Sequence, residues 1–182
     1  MRYGGDAYLE TYGFAPKISR ELSPTSLISA QARLFVKNYL QQTNQALDSQ
    51  YSELGLNYYK QFTPTTTWHA GVDIMQERAD KNGTLDVSKN MALLATSLIH
   101  KYSANVQLGA QLQYSNKKYL DNNPFFLSKR EDNYLKASVD ISKDLNKDLS
   151  LQFRAAYVDN KSNQDAYSYN KNVFLLNLIK RF

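Results

Sequence analysis

Cysteine is absent from this sequence, which removes disulfide scaffolds and thiolate-ligated zinc from consideration. Only seven glycines occur among 182 residues, and none sits in a phosphate-cradling pattern; Gly4-Gly5 and the lone Gly83 are ordinary flexible positions. Long apolar runs are missing as well. The longest charge-free stretch, Tyr102 to Asn116, is fifteen residues and about half polar, short of the ~20 mostly apolar residues a spanning helix needs. After Met1, the stretch from Arg2 to Glu10 has no apolar segment or small-residue cleavage site, so no signal peptide is expected there. Charge of one sign is not dominant: 22 Lys and Arg stand against 17 Asp and Glu, and no basic block appears. A net charge of +5 permits an anionic partner without selecting one. Present in quantity are aromatics, with 14 Tyr and 8 Phe, too many for a disordered chain.

What organises those residues is alternation. Val106, Leu108, Ala110, Leu112 and Tyr114 form one face, and Gln107, Gly109, Gln111, Gln113 and Ser115 the other. Leu149, Leu151, Phe153, Ala155 and Tyr157 repeat the pattern, as do Trp68, Ala70, Val72 and Ile74. Successive strand side chains point to opposite faces, so period two predicts strands with one apolar and one polar side. About nine are expected, near 7–22, 26–40, 50–62, 66–78, 90–102, 105–117, 132–145, 149–160 and 170–182. These lengths suit tilted membrane spans better than the ~5–6 residues of an ordinary strand.

The connections sort into two kinds. Tight turns are expected near Ser23-Pro24, Thr63-Pro64, Ser103-Ala104 and Asn146-Lys147. Longer polar connections are expected at Gln41–Ser49, Arg78–Lys89, Lys118–Glu131 and Asp159–Tyr169. Short turns at one end and long loops at the other characterise outer-membrane barrels. A repeat underlies this. Ile18-Arg20-Leu22, Tyr58-Lys60-Phe62, Leu98-His100-Tyr102, Ile141-Lys143-Leu145 and Leu178-Lys180-Phe182 close successive hairpins at spacings of 40, 40, 43 and 37. If their shared face meets lipid, Arg20, Lys60, His100, Lys143 and Lys180 form a ring at the periplasmic headgroups, the basic side chains snorkelling.

The opposite faces would then line an interior. Arg33, Glu53, Asp73, Lys136, Asp140 and Arg154 are the candidate lumen residues, joined by Lys37, Asn57, His69, Glu77, Gln111, Gln113 and Gln152. Arg33 with Glu53, and Asp140 with Arg154, lie on consecutive strands and could pair across the ladder. Catalysis finds little support. His69 and His100 are the only histidines, no nucleophile is placed beside either, and no metal-ligand cluster exists. No enzyme activity, cofactor or metal site is therefore expected. Nucleic-acid binding is not expected either, since Tyr58-Tyr59-Lys60 is already explained by the repeat. A soluble lipocalin-like barrel also alternates, but strand length, sorted loops and the final Phe182 count against it.

The last strand carries a resemblance. Asn172, Phe174, Leu176, Leu178 and the terminal Phe182 look like the closing strand of a bacterial outer-membrane barrel, which the barrel assembly machinery reads; Lys180 departs from that pattern. The longer ending from Tyr167 to Phe182 resembles the surface lipoprotein assembly modulator family. That resemblance implies a fourteen-stranded C-terminal barrel behind a periplasmic helical-repeat domain, helping surface lipoproteins cross the outer membrane. An all-β antiparallel transmembrane barrel over residues 1–182 is thus expected, embedded in outer-membrane lipid and forming the C-terminal portion of a larger one. An odd count of nine spans points the same way, because single-chain barrels have even counts; the alternative is an eight-stranded barrel in which the residues before Pro24 do not span. Its expected role is a translocation channel with a lipoprotein or other secreted passenger. The alternative is a small-solute porin or a structural barrel with ligand-binding loops. The segment Lys117 to Asp132, with Asn122-Asn123-Pro124-Phe125-Phe126, is the expected contact loop.

Overall fold

A computed structural model describes residues 2, 3, 6–80 and 87–180. Its strands are β1 (Arg2–Tyr3), β2 (Asp6–Ala7), β3 (Leu9–Phe14), β4 (Lys17–Ser23), β5 (Ser26–Tyr39), β6 (Ser49–Thr63), β7 (Thr66–Ala79), β8 (Lys89–Ser103), β9 (Val106–Asn123), β10 (Ser128–Asp144), β11 (Leu149–Ser162) and β12 (Tyr169–Lys180). Two 3₁₀ segments, Gln42–Leu47 and Asp165–Tyr167, sit in the connections. Strands β1 and β2 make a small ladder of their own, and the other ten form one antiparallel sheet. None of the described helices is long and apolar enough to cross a membrane.

The sheet is a meander in which each strand pairs with its sequence neighbour from β5 to β12. Strands β3 and β4 both pair with β5, in continuous phase. They are one expected strand interrupted around Pro16, whose ring supplies no N–H to the ladder. Its carbonyl still accepts from Ala32 N at 3.0 Å. The two ends of the sheet, β12 and β3–β4, do not pair with each other. The sheet is therefore open where the sequence pattern led to the expectation of a barrel.

The 40-residue repeat is a repeat of bonds. Ser23 pairs with Ser26, Thr63 with Thr66 and Ser103 with Val106, each after a register shift of one residue. Pro24 and Pro64 pre-set the first turn dihedral, and Thr25 N and Thr65 N donate to the Ser23 and Thr63 hydroxyls at 3.3 Å. Each turn is then tied to the next hairpin. Thr25, Thr65 and Asn105 carbonyls accept from Gln61, Lys101 and Asp144 N at 2.8 Å. At the far end Tyr8, Asp48, Ser88 and Glu131 carbonyls accept from Leu40, Asp80, Leu120 and Asn163 N at 3.1, 2.9, 3.0 and 3.1 Å.

One expected loop does not exist as such. The residues from Lys118 to Glu131 continue the ladder, β9 running to Asn123 and β10 starting at Ser128. The polar composition of this stretch hides a strand pair because neither of its faces is apolar, whereas ladder hydrogen bonds need no apolar face.

Candidate functional site

Opposed residues in an antiparallel ladder share a face, so the register sorts every side chain. Val72, Leu94, Tyr114, Leu135 and Asp159 lie in one row of the same face, as do Trp68, Leu98, Ala110, Val139, Ala155 and Phe174. On this face large apolar side chains are exposed: Leu54 is 68% exposed, and Ile74, Leu176 and Phe174 are comparable. On the other face Ser29, Ser49, Ser115, Ser138, Ser150 and Glu53 are buried. This inverts the arrangement of a water-soluble sheet, which hides its apolar face. No second layer covers the polar face among the described residues, so its burial means that the sheet bends toward that side and neighbouring strands shield one another's side chains.

The apolar face is a band. It covers Leu108 to Tyr114 on β9 and Leu135 to Ile141 on β10, roughly 20 Å along the strand. Beyond it toward the long connections come Asn116, Lys118, Asn133 and Glu131. At the tight-turn end the five ring positions share the apolar face. Arg20 opposes Ile28, Lys60 opposes Trp68, His100 opposes Thr66 and Leu108, Lys143 opposes Val106 and Leu151, and Lys180 opposes Leu149. Lys60 Nζ donates to Thr25 Oγ1 at 2.9 Å, holding one ring member on the neighbouring turn. Phe174, Leu176 and Leu178 lie on the apolar face of the edge strand β12; Phe182 lies outside the described residues, as do Gly4, Gly5 and Gly83. A concavity of about 640 Å³ on this face is floored by Ala110, Ala137 and Ala155 and flanked by Trp68, Leu98 and Phe174.

All six candidate lumen residues are on the polar face. Both expected pairs form. Arg33 Nη1 lies 3.0 Å from Glu53 Oε1, and Arg154 Nε donates to Asp140 Oδ1. A cavity of about 300 Å³ opens over the second pair, lined by Gln107, Ser142 and Gln152 among others. Glu53 also accepts from Gln31 Nε2 at 3.4 Å and from the Tyr51 hydroxyl. Asp73 faces Gly55 across the ladder, and a Cβ at that glycine would collide with Asp73 Oδ1. Gly71 likewise leaves room for Asn57 and His69. His69 Nε2 hydrogen-bonds Asn57 Oδ1 at 2.8 Å and its ring stacks on Tyr59 at 4.6 Å. His100 Nδ1 instead meets Thr66 Oγ1 at 2.9 Å on the apolar face. Lys136 opposes Gln113 and Val158.

Two clusters went unread in the sequence. Glu77 accepts from Lys37 at 2.6 Å, pairs with Lys89 at 2.9 Å and accepts from Ser49 Oγ at 3.0 Å. Lys37 is on β5 and Glu77 on β7, so this contact crosses an intervening strand. Farther out, the Arg130 guanidinium stacks between the rings of Tyr119 and Tyr167 at 3.8 and 4.0 Å and lies 3.2 Å from Asp132. A basic residue next to ladder tyrosines was the available signal, but Tyr167 comes from a distant connection. Among the described residues no group of His, Asp and Glu could hold a metal.

The fold and its two faces define a class: a single-layer, all-β antiparallel sheet, bent toward a charged and hydroxyl-rich side, with its apolar side outermost. The chain belongs to the surface lipoprotein assembly modifier family, whose model matches residues 1–182. No curated protein and no solved structure matches it.

Proposed function

We propose that this chain is part of the wall of a bacterial outer-membrane β-barrel that guides surface lipoproteins through or along its polar interior. The observation that carries the reading is the inversion of the two faces, apolar outward and charged inward, in a chain of the surface lipoprotein assembly modifier family. Hydrocarbon tolerates no open sheet edge. Strands beyond β3–β4 and β12 would therefore complete the barrel in the membrane. The exposed band would contact lipid, and Arg20, Lys60, His100, Lys143 and Lys180 would lie at the headgroups on the periplasmic side. Phe174, Leu176, Leu178 and Phe182 would serve recognition by the barrel assembly machinery. Arg33, Glu53, Asp73, Lys136, Asp140 and Arg154 would set the field felt by a passenger. The role is one of passage and involves no catalysis. A small-solute porin would use the same polar face.

The experiment reverses each of the six charges in the full-length protein. It measures ion selectivity in planar bilayers and surface display of lipoproteins in cells. Altered display with altered selectivity supports guided passage. Altered selectivity with normal display favours the porin, and unchanged behaviour in all six variants removes both.

A further inference from the structure

The hairpin β9–β10 is the longest in the sheet, with strands of 18 and 17 residues. Its tip, Pro124 to Leu127, carries three consecutive large apolar side chains. Phe125 is 85% exposed and Leu127 81%. Single exposed apolar residues need no explanation, but a contiguous cluster does. The turn that presents them is closed: Phe125 N donates to Asn123 Oδ1 at 3.0 Å and Leu127 N to Asn123 O at 2.8 Å. Leu127 has φ of 51°, the left-handed region that glycine or asparagine adopts more cheaply. A leucine kept there gives the tip an apolar side chain at a backbone cost.

The tip of the hairpin is buttressed by the connection between β11 and β12. Asn123 Nδ2 donates to the Tyr167 hydroxyl at 2.9 Å, and Gln164 Nε2 to Ser128 O at 3.0 Å. Asn163 Nδ2 donates to Lys129 O at 2.9 Å, and the Phe126 ring rests 6.3 Å from that of Tyr167. A tip held this way loses little conformational entropy on binding.

Shape and reach select the occupant. From Tyr114, where the apolar band ends, nine residues lead to Asn123, about 30 Å along the strand and still some ~20 Å clear of the band at the ~45° tilt of membrane barrels. A bilayer in contact with the band is out of reach. Acyl chains are bound in concave apolar sites, and this tip is convex. A second copy offers two concavities, one floored by alanines within the band and one of about 450 Å³ lined by Phe14, Leu34 and Val36; both lie among apolar-face side chains, where the lipid of the proposed barrel would cover them. What remains is a protein beyond the membrane with a concave apolar pocket. We infer that Phe125 and Leu127 form a docking knob for the folded polypeptide of a surface lipoprotein, an inference that rests on the function proposed above.

The test uses full-length protein in cells, with a photo-crosslinking amino acid at position 125 in one strain. In another, a deletion is complemented by the wild type or by F125S/L127N, and surface display of lipoproteins is measured. The expected result is a crosslink to the polypeptide of a lipoprotein whose display requires the chain, with a several-fold loss of display in the double variant at equal barrel levels. Equal display with the double variant overturns the docking knob and leaves the proposed function standing. So does a crosslink only to lipid or to a second copy. Display unaffected by the deletion overturns the proposed function and the knob with it. A double variant that fails to accumulate is replaced by Leu127→Asn with F125S tested singly, since asparagine suits the left-handed position.

Discussion

Glu53 gathers three donors, from Arg33, Gln31 and Tyr51, while itself being only 3% exposed. Arg33, by contrast, keeps 45% of its side chain in solvent. The two partners are therefore unequal. Glu53→Ala should cost about 1–3 kcal/mol, because it strands several donors, and Arg33→Ala should cost less, since an exposed charge is screened. Urea unfolding in lipid vesicles, followed by the fluorescence of the single tryptophan, Trp68, reads both; equal losses would contradict the asymmetry. The pairing of Arg33 with Glu53 was legible, because facing strands bring residues of one face together at predictable register. The Lys37–Glu77–Lys89 cluster was not. Its lysine and glutamate meet across β6, and reach over a strand depends on how far the sheet bends.

At the scale of elements, the segment from Asp165 to Tyr167 and the outer half of β9–β10 behave as one unit, joined through the stack of Arg130 between Tyr119 and Tyr167. An ammonium cannot reproduce a planar guanidinium between two rings. Arg130→Lys should therefore expose residues 163–168 to limited proteolysis and faster amide exchange while β5 to β8 keep their protection. Unchanged exchange in 163–168 would mean that the Asn163 and Gln164 bonds suffice alone. Where a contact loop was expected between Lys117 and Asp132, the structure has an extension of the hairpin. Polar residues on both faces read as loop, yet the ladder extends to Asn123 and only the Pro124–Leu127 turn is free of it.

For the molecule as a whole, the decisive property is which face would meet lipid in the proposed barrel. Leu94 is central in the apolar band, opposite Val72 and Tyr114, whereas Gln111 is on the polar face, opposite Ser97 and Ser138. In vesicles Leu94→Arg should lower stability by about 2–4 kcal/mol, the depth-dependent cost of a charge near the bilayer midplane. Gln111→Arg should change it little. Equal tolerance of both would remove lipid from the apolar face and with it the barrel reading. The open edges at β12 and β3–β4 do not alter this comparison, since both positions lie on interior strands.

Alternation, turn residues and the 40-residue spacing determined the strands, their two faces, the tight-turn end and the shared face of Arg20, Lys60, His100, Lys143 and Lys180, because each is set by side chains within one or two hairpins. Tertiary structure alone decided that the sheet stays open, that Pro16 divides its first strand, and that Gly55 and Gly71 make room for Asp73 and for Asn57 with His69. It also decided the buttressing of the hairpin tip by a connection some 40 residues away, and the left-handed backbone at Leu127. Period two is a local property of the backbone, whereas curvature, edges and contacts across strands accumulate over the whole sheet.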